Sequence, residues 1–66
     1  MEKTKLLWMG RYYEAIWNGE MQRFEVRHLN GVLVEPFLAQ DEAIAYAKGL
    51  DDAQITINSW RQENGK

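Results

Sequence analysis

The chain has 66 residues, 45% hydrophobic and 12% aromatic, with a formal net charge of -2 at pH 7 and no cysteine. Such a length holds one small domain with a thin core, and the absence of thiols excludes disulfide staples and a thiolate zinc site. The mild acidity argues against a general polyanion binder, and no apolar run approaches membrane-spanning length, so the expectation is a cytoplasmic protein with no membrane association.

Met1-Glu2-Lys3-Thr4-Lys5 precedes the apolar stretch Leu6-Leu7-Trp8-Met9, which is too short for a secretory signal. Residues 1–10 read as an N-terminal segment that either extends the first strand or folds over the sheet. Arg11 to Trp17 alternates as a strand. The dipeptides Asn18-Gly19 and Asn30-Gly31 predict type I′ turns, making residues 11–35 a three-stranded antiparallel meander. Two-residue loops set Trp17 opposite Glu20, Tyr13 opposite Phe24 and Glu14 opposite Arg23, then His28 opposite Leu33 and Arg27 opposite Val34. One face then carries Tyr13, Ala15, Trp17, Phe24, Val26, His28 and Leu33. The other carries Tyr12, Glu14, Ile16, Met21, Val32 and Val34.

Pro36 ends the third strand because it cannot donate to a ladder. Asp41 to Lys48 predicts a short helix, with Ala43, Ile44, Ala47 and Leu50 as its apolar stripe and Gly49 as its left-handed cap. Asp51-Asp52 marks a turn, Gln54 to Trp60 alternates as a fourth strand, and residues 61–66 form a flexible polar tail. The expectation is an α+β fold in a single domain spanning residues 1–66, of order β-β-β-α-β. The helix covers one sheet face, and the last strand lies beside the first in the order 3-2-1-4.

The run from Phe37 to Lys48, placed after a hairpin and before Ile55-Thr56-Ile57 and a terminal Asn64-Gly65-Lys66, resembles small bacterial and phage β-β-β-α-β domains of unknown function. Ala39 stands where such domains commonly place a capping Thr or Ser. The resemblance implies an accessory or inhibitor-type protein and transfers no catalytic residue.

Chemistry finds little footing in the residues. Glu14, Glu20, Glu25 and Glu35 are candidates for a carboxylate pair, but that chemistry needs a cleft that so small a domain seldom forms. His28 stands alone where a metal site needs several ligands, and Ser59 has no base at a recognisable spacing. No catalytic, cofactor or metal site is therefore expected. The surfaces carry the functional reading instead. Asp41, Glu42, Asp51 and Asp52 form acidic helix ends expected in solvent, suited to a basic partner surface. Tyr12, Ile16, Met21 and Val34 form an apolar patch on the uncovered sheet face, suited to association, including a homodimer. The sequence thus points to a non-enzymatic interaction module. Its concrete form is a phage or mobile-element inhibitor, anti-CRISPR-like, that blocks a host protein or nucleoprotein complex. The alternative is a sheet that binds single-stranded nucleic acid through Arg11, Arg23, Arg27 and the tyrosines, against which Glu14, Glu20 and Glu25 are interleaved.

Overall fold

The computed structural model describes residues 4–64 and places four strands before one helix: β1 (Thr4–Met9), β2 (Tyr13–Asn18), β3 (Arg23–His28), β4 (Leu33–Phe37) and α1 (Gln40–Asn64). The strands form one antiparallel sheet in the order β1-β2-β3-β4. The α+β class, the meander and the helix on one sheet face agree with the sequence reading; the order β-β-β-α-β does not, because the fourth strand comes first.

That strand is β1, which pairs Leu6 with Ile16, Trp8 with Ala15 and Met9 with Glu14, with a bulge between Leu6 and Trp8. It takes the edge beside β2 that the sequence reading gives to residues 54–60. The described part of the N-terminal segment therefore neither lengthens β2 nor folds over the sheet. Gly10, whose amide donates to the Tyr13 carbonyl at 2.8 Å, turns the chain between the two strands.

Residues 49–60 are helix, not cap, turn and strand. The sheet-facing spacing of Ala43, Ala47 and Leu50 continues through Asp51, Gln54 and Asn58, so the helical period persists while its residues change from apolar to polar. Polar groups on the sheet await them: Asp51 binds the β1–β2 turn, and Asn58 donates from Nδ2 to the Tyr12 hydroxyl at 2.7 Å. These contacts outweigh the weak helix propensity of Ile55-Thr56-Ile57 and the ~1 kcal/mol cost of Gly49 in a helix interior. Residues 61–64 remain helical, and residues 1–3 and 65–66 lie outside the described part of the chain.

The first hairpin also departs from the expected register. Tyr13 faces His28, Ala15 faces Val26 and Trp17 faces Phe24, a slide of four positions around the loop at residues 19–22. Asn18 explains the longer loop, since its Oδ1 accepts from the amides of Glu20 and Met21 at 3.0 and 3.1 Å. Gln22 takes the left-handed conformation (φ 55) and Gly19 does not, so this turn is not type I′. The new register brings the Trp17 and Phe24 rings to 4.8 Å. An even slide leaves every side chain on its original face.

In the second hairpin the pairs Phe24–Phe37, Glu25–Pro36 and Val26–Glu35 keep the expected register. A shift then places Arg27 opposite Leu33. The turn runs from His28 to Gly31, whose amide donates to the His28 carbonyl, and only Gly31 has positive φ (97). This is a three-residue loop with a left-handed glycine, again not type I′. The one-residue shift exchanges neighbours across the sheet: Val34 joins the helix-covered core, and Leu33 aligns with the open face.

Ala15, Val26, Ala43 and Ala47 are fully buried at the centre, ringed by Trp8, Tyr13, Phe24, Val34, Phe37, Ile44 and Leu50. Alanines on both layers let the helix lie close to the sheet. A 25-residue helix is ~37 Å long, about twice the length of these strands, so its C-terminal turns run past the sheet in a molecule 49 × 20 × 14 Å.

Candidate functional site

Two carboxylates are nearly withdrawn from solvent, and both have structural partners. Asp51, mid-helix, accepts from the Tyr12 amide at 2.7 Å, the Arg11 amide at 3.2 Å and the Tyr13 amide at 3.2 Å. Burial alone would raise its pKa, but these three donors and the Arg11 charge overcome it and hold Asp51 below its ordinary value. Gly10 belongs to the same arrangement. A Cβ there would lie 2.5 Å from the Asp51 carboxylate and from the Trp8 ring, so only glycine admits the carboxylate beneath the turn. The expectation that Asp51 sits in solvent with Asp41, Glu42 and Asp52 is therefore corrected. The other three are exposed, Asp41 and Glu42 in the first turn of α1 where negative charge suits the helix dipole.

Glu25 lies on the sheet face opposite the helix. Arg23 Nε donates to its Oε2 at 2.7 Å, Arg27 Nη2 and Nε donate to Oε1 at 2.8 and 3.0 Å, and Asn18 Nδ2 donates to Oε2 at 3.2 Å. Burial pushes the carboxyl up, and the two arginines and Asn18 pull it below its usual range on balance. Two of the three arginines of the nucleic-acid alternative are thus committed to a carboxylate. Arg11 and Tyr12, meanwhile, sit at the β1–β2 corner beside the helix, so the structure does not gather these residues into one platform.

The apolar candidates separate in the same way. Ile16 aligns with the open face but is only 3% exposed, next to Glu25 in register. Val34 packs into the core, Met21 is exposed in the first hairpin loop, and Tyr12 is half-buried with its hydroxyl accepting from Asn58.

The acidic helix start has a neighbour that residue patterning did not single out. Leu38, in the two-residue link between β4 and α1, is 91% exposed. It borders a concavity of about 410 Å³ lined also by Arg23, Glu35, Pro36, Phe37 and Glu42. Phe37 faces inward against Tyr46, ring centroids 5.1 Å apart, which anchors one side of Leu38 while α1 fixes the other. The signal available in the sequence was positional: in Phe37-Leu38-Ala39, only one of two consecutive large apolar residues at a strand end can face the core.

Among the described residues no group of three or more His, Asp or Glu side chains is arranged to hold a metal ion, and no helix is long and apolar enough to cross a membrane. No family model matches the chain, and neither the curated proteins nor the solved structures provide a match.

Proposed function

We propose that this chain is a non-enzymatic protein-interaction module that docks through the corner between β4 and α1. One observation carries the reading: Leu38 stands 91% exposed at a corner beside Glu35 and the acidic first turn of α1. An exposed leucine forgoes roughly 1.5–3 kcal/mol that burial would supply, and a partner pocket can recover it. Flanking carboxylates select for a pocket with a basic rim and speed encounter with it. In its narrowest form the reading is an inhibitor of the phage or mobile-element kind, acting in the cytoplasm by occupying a surface that a host protein or nucleoprotein complex needs.

The test compares the wild-type chain with Leu38→Asp and with Asp41→Lys/Glu42→Lys as baits in bacterial lysate. Both variants are expected to keep the wild-type melting temperature within a few degrees, because all three positions are exposed. A protein held by wild type and lost by both variants supports the corner as the contact. Equal retention by all three baits removes it. Salt-dependent binding of single-stranded oligonucleotides by the wild-type chain, with no protein retained, would replace this reading with the nucleic-acid one.

A further inference from the structure

The sheet face opposite the helix forms a grid whose rows follow from the strand register. One row reads Met9, Glu14, Arg27, Leu33, and the next reads Leu6, Ile16, Glu25, Pro36. In each row the outer positions are apolar, and Leu6, Met9 and Leu33 are 51%, 55% and 43% exposed. The inner strands carry Glu14 and Ile16 on β2 and Arg27, Glu25 and, one row further, Arg23 on β3, and the four charges cancel. Glu14 is the odd member. Arg27 lies directly opposite it on β3, yet that guanidinium turns to Glu25, and among the described residues Glu14 has no ion pair.

We infer that this face is the contact surface for a second copy of the chain, related by a twofold axis running along the strands between β2 and β3. Such an axis lays β1 over the partner's β4 and β2 over the partner's β3 while keeping each row in line. Met9 then meets Leu33 of the partner subunit, Leu6 meets Pro36 of the partner subunit, and the unpaired Glu14 meets Arg27 of the partner subunit, each contact occurring twice. An axis across the strands through the Glu25 row would instead stack Arg27 on Arg23 of the partner subunit, like charge on like. Packed sheets stand ~10 Å apart, a separation that glutamate and arginine side chains can span. The face is small, about four strands by six residues, so the contact lies at the low end of specific interfaces and the dimer forms at micromolar concentration rather than below it. This surface shares Arg23 and Pro36 with the concavity beside Leu38, but Leu38 lies outside it and neither proposal depends on the other.

Sedimentation velocity on the full chain from about 5 µM to 1 mM provides the test, with circular dichroism verifying the fold of each variant. Wild type is expected to pass from monomer to dimer across this range. Glu14→Arg alone and Arg27→Glu alone should each raise the dissociation constant at least about tenfold, because each creates two like-charge contacts. Their equimolar mixture should dimerise again, because the arginine introduced at position 14 of one chain then meets the glutamate introduced at position 27 of the other, and the remaining wild-type pair is intact. Arg27→Glu also deprives Glu25 of a partner, so Met9→Lys and Leu33→Glu, at the outer positions of the same row, form a second set that leaves Glu14, Arg23, Glu25 and Arg27 in place, each weaker alone and restored on mixing. A wild-type chain that stays monomeric at 1 mM overturns the inference. So does a dimer that Glu14→Arg leaves intact, or two folded single variants that fail to associate when mixed.

Discussion

Asp51 beneath the β1–β2 turn and Glu25 on the open face are both nearly excluded from water and both held ionised, yet their donors differ in kind. Asp51 is bound by three backbone amides 38 to 40 residues away along the chain. Those amides cannot turn aside, because the turn that presents them is set by the two strands it joins. Glu25 is bound mainly by arginines two positions before and after it on its own strand. Their side chains are more than a quarter exposed and can turn to solvent. One carboxylate thus fastens the helix to the sheet, while the other organises the surface of a strand that is already in place.

The sharpest test of that contrast is Asp51→Ala, which strands three backbone donors beneath the helix. It should cost about 3 kcal/mol in urea unfolding, since each buried unsatisfied donor is expensive and only part of the deficit can be met by entering water. Next comes Gly10→Ala, at about 2 kcal/mol. The added methyl meets a carboxylate that is tied at three points and cannot give way. If Gly10→Ala melts with wild type, the turn has slack and Asp51 is not a fastening. Glu25→Ala should cost only about 1 kcal/mol, because both arginines then hydrate. A loss as large as that of Asp51→Ala would erase the distinction between the two regions.

The same contrast explains what was legible in the sequence. The face assignment of Tyr13, Ala15, Phe24 and Val26 follows from alternation alone, and it survives a four-residue slide because only odd slides exchange faces. Val34 was misplaced because a bulge is a one-residue event with no mark in the residue pattern. The helix beyond Gly49 was missed for a deeper reason. Its sheet-facing positions there are Asp51, Gln54 and Asn58, and a search for apolar period does not count polar residues that are buried against polar partners. Ile55 and Ile57 then imitate strand alternation while lying half-buried and exposed on the helix. Asn18-Gly19 misled similarly, because the Asn side chain builds an Asx turn where the dipeptide signals a tighter one. Leu38 left only a positional trace, since one of the two consecutive apolar residues Phe37 and Leu38 at the strand end must face away from the core, and the pattern does not say which.

The smallest effect is the pH dependence, which has the same direction for the two carboxylates and separates them by size. Both are held below their ordinary values of 3.8 for Asp51 and 4.5 for Glu25. A group with a depressed folded-state pKa contributes stability that is fully present above its unfolded pKa and is lost as pH falls through the folded one. The melting temperature should therefore be flat from pH 7 to about pH 5 as far as these groups are concerned, and should fall below about pH 4 as they take up protons. Asp51→Asn should flatten that acid limb more than Glu25→Gln, because protonating Asp51 weakens fixed bonds to the turn while protonating Glu25 releases arginines into water. Differential scanning calorimetry between pH 2 and pH 7 measures both slopes. If Glu25→Gln flattened the limb as much as Asp51→Asn, side-chain donors would hold as firmly as backbone ones here, and the open face would rank with the β1–β2 turn as a structural clamp.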